Sequence, residues 1–174
     1  PTAEWEPVVP NSQYQERSAN GRIIVFTDGA SRDNQYSEIR RAGYGAFWAP
    51  GHPFNLGLPL WGQVQTNQRA ELMAVVATLQ IDLRPLDIRS DSRYVVNGAS
   101  KHLQRWKEHS WRIGGKEISN KDLWEQLDAL LATRVSGSIQ CVKVKGHSSF
   151  EDVQTGKTTE FDKDGNDEAD ALAV

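Results

Sequence analysis

Hydrophobic and polar positions along the chain change period several times, and each change predicts an element. Arg22-Ile-Ile-Val-Phe-Thr-Asp28 is a continuous apolar run ended by Asp28-Gly29, the pattern of a strand buried on both faces. Ala42–Trp48 reads as a second strand, weakened by its glycines, and a third is expected over Leu58–Val64. The period then becomes helical. Leu72, Val75, Val76 and Leu79 form one apolar stripe, Thr66 or Asn67 can cap its start, and Pro85 stops it. Leu86–Ser90 is a short strand reaching Asp91. Short helices are expected over 92–98 and 101–109. Leu123, Leu127, Leu130 and Leu131 mark another helix, with Ser119 and Asp122 at capping-box spacing. Ile139–Lys145 is the fifth strand. Residues 146–165 read as a long polar loop, and a last helix begins at Asn166. Strands followed by interleaved helices and strands predict an α/β domain with a mixed, partly antiparallel sheet.

Residues 1–20 carry three prolines and no apolar period, so they read as a flexible tail or linker before a domain over 21–174. The chain has 174 residues, long enough for one domain with its own core. It opens on Pro1 rather than Met, which points to a piece of something longer. A single cysteine, Cys141, rules out an internal disulfide framework and points to a reducing, intracellular setting. No apolar stretch is long enough to span a bilayer.

Charge adds a polarity that the total conceals. The net charge of −3 argues against a general nucleic-acid binder. Locally, however, residues 101–121 hold six Lys/Arg against two acids, and residues 147–174 hold eight acids against two lysines. A basic stretch and an acidic one in the same domain suit a polyanion held by one part and metal ions held by another.

The acids fall at informative places. Asp28 and Asp91 end buried strands, Glu71 lies early in a helix beside its apolar stripe, and Asp170 lies among Ala169, Leu172 and Ala173 of the last helix. Carboxylates leaning inward are costly unless a cation compensates them, and two Mg²⁺ ions would do so. Singly, such residues are more often caps or turn formers.

The ordered set of local sequences narrows the choice. Thr27-Asp28-Gly29-Ala30, Gly43-Tyr44-Gly45-Ala46, Thr66-Asn67-Gln68-Arg69-Ala70-Glu71 and Ser90-Asp91-Ser92-Arg93-Tyr94-Val95 are followed by Asp122-Leu123-Trp124. Val144-Lys145-Gly146-His147-Ser148 and Gly165-Asn166-Asp167-Glu168-Ala169-Asp170 complete the series. Together they resemble the type 1 ribonuclease H family over roughly residues 21–174. The resemblance implies a ribonuclease H-like fold, a five-stranded mixed sheet with helices on both faces. It also implies a metal-dependent endonuclease that cuts the RNA strand of RNA–DNA hybrids.

The resemblance implies roles as well. Asp28, Glu71, Asp91 and Asp170 match the four metal-binding carboxylates, with Asp167 as runner-up for the fourth, and Mg²⁺ is the expected ion, two per site, with Mn²⁺ as a substitute. Asn166, four residues before Asp170, can share its helix face. His147 matches a proton-shuttling or product-releasing histidine. Gly29, Asn67 and Gln68 match RNA-side contacts, and Thr66 and Asn120 match positions that hold a DNA phosphate. Val64 stands where that pocket usually has a basic residue. The basic segment resembles a protrusion that packs on the DNA strand, with Lys107, Arg112, Lys116 and Lys121 on phosphates and Trp106 on a deoxyribose. The alternatives are a solvated, salt-bridged helix face for the charges and core packing for Trp106 and Trp111. His102 replaces a frequent tryptophan. His147 to Asp170 spans about a dozen residues more than the compact bacterial pattern, and Gly156-Lys157-Thr158 inside that stretch is a chance match to a phosphate loop.

Three functions compete at this point: the hydrolase, a hybrid-binding module that does not cut, and another nuclease or strand-transfer enzyme of the same fold that acts on DNA. Intact carboxylates and His147 favour the first over the second, and Asn67 and Gln68 favour it over the third. The domain suits either a free cellular enzyme or part of a retroelement polyprotein, monomeric or within a longer polypeptide, with no membrane partner.

Overall fold

The computed structural model describes residues 17–32 and 40–174. The central sheet has five strands in the order β3-β2-β1-β4-β7: β1 (Ile23–Arg32), β2 (Arg41–Phe47), β3 (Leu56–Pro59), β4 (Leu86–Ser90) and β7 (Ile139–Lys143). β2 runs antiparallel to both of its neighbours, β1 and β3, whereas β4 and β7 run parallel to β1. Helices α1 (Asn67–Ile81), α2 (Arg93–Asn97), α3 (Leu103–Glu108) and α4 (Lys121–Ala132) cover one face. α6 (Glu160–Ala173) packs on the other. This is the mixed α/β sheet, clad on both sides, that the sequence predicts.

β1 shows why its run is uninterrupted by polar residues. Ile23 and Val25 point into the core shared with Leu72, Val75, Leu79, Ile88 and Trp124. Ile24 and Phe26 point to the opposite face, where Ala169 of α6 meets them. A strand with helices on both sides needs apolar residues at every position.

The glycines of β2 and β3 have a packing reason. A Cβ on Gly43, Gly45 or Gly57 would overlap the backbone of Ala173, Ala169 or Leu172. Their bare backbones let the last turns of α6 lie directly on the sheet. On the other face a Cβ on Gly29 would overlap the backbone nitrogen of Glu71, so α1 lies equally close to β1.

Several expectations need correction. The third strand covers Leu56–Pro59 rather than 58–64. Pro59 has no N–H to donate, Gly62 adopts φ +101, and the Gln65 side chain takes the place of the next strand residue by accepting from Ala42 N at 2.8 Å. Ser119 is not the cap of α4. Asn120 holds that position with φ +58, because Asp122 is drawn into a bidentate pair with Arg69 (2.6 and 2.8 Å). The helices expected over 92–98 and 101–109 are joined by a π-helical turn at Gly98–His102, where a Cβ on Gly98 would overlap the Trp124 ring.

The long loop 148–165 is largely helical. α5 (Phe150–Gln154) starts from a capping box in which Ser149 and Asp152 bond each other's backbone N–H. α6 starts at Glu160, capped by Thr159, six residues earlier than expected. Its first turns are bound to the sheet by Arg89, which donates to Asp162 at 2.5 Å and lies over the Phe161 ring. The residues missed here are polar because their helices dock through ion pairs and caps rather than an apolar stripe. A small hairpin, β5 (Arg112–Ile113) with β6 (Lys116–Glu117), also went unpredicted, since two-residue strands carry no period. Of the expected tail, residues 1–16 lie outside the described residues, and Arg17–Gly21 turn back on the start of β1.

Candidate active site

Parallel pairing of β1 with β4 places Thr27 beside Ser90. The next residues, Asp28 and Asp91, therefore leave the same end of the sheet on neighbouring strands, roughly 4.8 Å apart by sheet geometry. The close approach of α1 at Gly29 sets Glu71 above them, and that of α6 at Gly45 brings in Asp170. Asp28, Glu71 and Asp91 each offer an oxygen within 4.8 Å of the others. Asp170 lines the same cleft, and its carboxyl beside Asp28 helps to raise the Asp28 pKa. Asp167, the runner-up, is paired with Lys163 at 2.6 Å on the outer side of α6. Asn166 is buried on α6 with its Oδ1 unpaired.

The electrostatics of this cluster are unfavourable for protein alone. Burial, followed by the charge of Asp28, raises the Glu71 pKa well above the carboxylate range. Burial, followed by the charge of Asp91, does the same to Asp28. Gly29 N–H supplies one hydrogen bond to Asp28 Oδ1 at 2.9 Å. Glu71 Oε2 is buried with no partner at all. An orphaned carboxylate oxygen facing two more carboxylates fits hard divalent cations, whose preferred ligands are oxygens.

The cleft above the cluster encloses about 590 Å³. Gly29, Asn67, Gln68 and His147 line it, so four residues named from the sequence for other tasks meet the carboxylates there. His147 is exposed at φ +48, immediately after Gly146. Ser92, Arg93 and Tyr94 also line the cleft, and sequence reasoning assigned them nothing.

Thr66 and Asn120 lie beyond this lining and are joined by Arg69. The Arg69 backbone N–H donates to Thr66 Oγ1 at 3.2 Å, and its guanidinium reaches Asn120 Oδ1 at 3.4 Å. Asn120 Nδ2 donates to Tyr94 Oη at 3.0 Å, which also accepts from Trp124 Nε1 at 2.9 Å. Arg69 was legible inside its motif, but only the fold reveals that it ties α1 to α4. Val64 is exposed in the preceding loop.

The basic segment divides. Lys107 pairs with Asp128 at 3.1 Å, and Lys121 sits between Glu117 and Glu125. The Arg112 guanidinium donates to Gly115 O, whereas Lys116 stands exposed on the hairpin. Trp106 packs edge-on against Trp124 with centroids 5.0 Å apart, and its other side lines a groove with Ile113, Lys116 and Ile118. His102 leans on Trp106 at 5.6 Å, and Trp111 packs against the core.

A second network surrounds His147. Asp152 Oδ2 accepts from Lys145 Nζ at 2.9 Å and from Ser149 N at 2.8 Å, while Ser148 Oγ donates to Lys145 O at 2.9 Å. The inserted segment thus holds both flanks of the histidine.

With this geometry in view, the likenesses to known proteins are consistent with one another. The RNase H family model matches residues 20–174. Ribonuclease H1 of Mus musculus is 36% identical over 156 residues, covering 87% of this chain and 48% of that protein. The chain thus spans about half the length of that relative. Ribonuclease H of Francisella tularensis subsp. novicida is 34% identical over 157 residues, covering 87% and 88%. The solved PFV RNase H domain superposes with a TM-score of 0.66 at 25% identity, covering 86% of this chain and 90% of that one. By fold, motif order and these likenesses, the chain belongs to the type 1 ribonuclease H family.

Proposed function

We propose that this domain hydrolyses the RNA strand of RNA–DNA hybrids, with Asp28, Glu71, Asp91 and Asp170 holding two Mg²⁺ ions. The observation that carries the reading is the trio of acids within 4.8 Å, with an unpaired Glu71 oxygen at the floor of a polar cleft. Bound there, the ions would supply an activated water and charge stabilisation for the leaving oxygen of a phosphodiester.

The chain's own residues do the rest. Gly29 backbone and the Asn67 and Gln68 amides present small hydrogen-bonding groups where 2′-hydroxyls of one strand would pass. The DNA strand is read across α1 and α4, where Thr66 and Asn120 are held together by Arg69. His147, exposed at the rim, exchanges a proton with the leaving group or helps product depart. Trp106 and Lys116 offer an aromatic face and a charge along the same strand. The domain acts as a monomer or within a longer polypeptide, in an intracellular setting.

The test is a labelled RNA–DNA hybrid beside duplex DNA and duplex RNA, each with Mg²⁺, Mn²⁺ or chelator, and with Asp91→Asn as control. The expected result is metal-dependent cutting of the hybrid's RNA alone, lost in the variant. Tight hybrid binding without cutting in either metal would leave a binding module, and cutting of duplex DNA would make the domain a DNA nuclease.

A further inference from the structure

The loop between β3 and α1 presents an indole to solvent. Trp61 is 83% exposed, whereas Trp48 and Trp124 are buried and Trp106 and Trp111 pack on the core. The loop is not loosely attached. Gln65 Nε2 donates to Leu60 O at 2.9 Å and to Gly62 O at 2.8 Å, and its Oε1 accepts from Ala42 N. Leu60 N also donates to Ala42 O at 2.8 Å, with the Leu60 side chain buried. Both neighbours of Trp61 are thereby fastened to β2, so the ring is held outward at little further cost in conformational freedom.

Positive charge gathers beside it. Arg40, Arg41 and Trp61 line one open cleft of about 520 Å³. Arg41 is paired directly opposite Arg32 in the β1–β2 ladder, and like charges so placed repel. Neither Arg32 nor Arg41 forms an ion pair with the described residues. An anion at this place would relieve the repulsion.

The patch is continuous with the carboxylate cleft along two paths. β1 runs from Asp28 through Ala30 and Ser31, which line that cleft, to Arg32. On the other side, Gln65 and Thr66 lead directly into Asn67 and Gln68. A flat exposed aromatic beside guanidinium groups is the chemistry of a single-strand nucleic-acid platform, where a base stacks and its phosphates are neutralised.

We propose that Trp61 with Arg40 and Arg41 forms a subsite for unpaired nucleotides of the RNA strand extending beyond the hybrid. The subsite stacks a base on the indole and holds phosphates on the guanidinia. It rests on the hybrid reading above, because the strand reaches it from the Asn67–Gln68 side of the cleft.

Fluorescence anisotropy in chelator, where no strand is cut, tests it. The probes are one blunt hybrid, the same hybrid with four unpaired RNA nucleotides at either end, and the same with unpaired DNA. One RNA extension is expected to tighten Kd by about tenfold over the blunt duplex. Trp61→Ala and Arg41→Ala should bring that ratio to about one, and Trp61→Phe should keep most of it. Trp61 is exposed, so the variants are compared at matched thermal stability. No gain from either RNA extension in the wild type, or a gain that survives Trp61→Ala, overturns the subsite. An equal or larger gain from unpaired DNA overturns its assignment to the RNA strand. Failure to bind even the blunt hybrid would remove the hybrid reading itself and this inference with it.

Discussion

Gly146 is packed so tightly against Asp91 that a Cβ on it would overlap the Asp91 Oδ2. The glycine that precedes His147 therefore sets the position of a carboxylate on another strand. The atom in the way is the tip of a side chain, so Gly146→Ala should displace the carboxylate rather than unfold the protein. Hybrid hydrolysis is expected to fall by about 10²-fold, as for a misplacement of around 1 Å, with Tm nearly unchanged. Full activity in the variant would mean that Asp91 has freedom to move without losing its function.

The carboxylate cluster predicts an unusual pH dependence without metal. Burial first, then neighbouring negative charge, raises Glu71 and Asp28 above their unfolded values. The folded state then holds protons that the unfolded state releases, so stability in chelator should fall as pH climbs from about 4 through neutrality. Glu71→Gln should flatten that fall and melt higher than wild type in chelator at pH 8. Saturating Mg²⁺ should restore the wild type, by about 2.7 kcal/mol at a hundredfold excess over Kd. Thermal melts at several pH values, with and without the ion, check both. A wild-type Tm that rises with pH in chelator and ignores Mg²⁺ would contradict the prediction.

Val64 gives a gain-of-function test. It is 52% exposed, two residues before Thr66, where the resemblance leads one to expect a basic residue. Val64→Arg should tighten hybrid binding several-fold and steepen the log–log salt dependence by about one. A salt titration of Kd for both proteins decides it, and an unchanged slope would place Val64 away from any phosphate.

The inserted helices predict a structural role for Asp152. The Ser149 backbone N–H first, and then Lys145, holds its carboxyl far below the usual range. A depressed folded pKa stabilises the protein above the unfolded value and is lost on acidification. Asp152→Asn should therefore lower Tm by a few degrees near neutrality and by less below about pH 4, narrowing the gap to wild type. Loosening both flanks of His147 should also reduce kcat more than it changes KM, which steady-state hydrolysis measures.

The sequence by itself determined the elements with a strong period and the identity of the acids. β1 was legible because every position is apolar, and α1 because its stripe repeats over two turns. Asp28, Glu71, Asp91 and Asp170 were legible through the motifs around them. The tertiary structure alone decided what glycine spacing and ion pairs control. The sequence does not say what Gly29, Gly43, Gly45 and Gly57 lie against, yet their missing side chains let α1 and α6 approach until the four carboxylates converge. Arg69, Asp152 and Arg89 find their partners 53, 7 and 73 residues away, and Trp61 acquires its arginine neighbours only when β2 and β3 pair. Contacts of that kind leave no local period, because their energy depends on which distant residue the fold supplies.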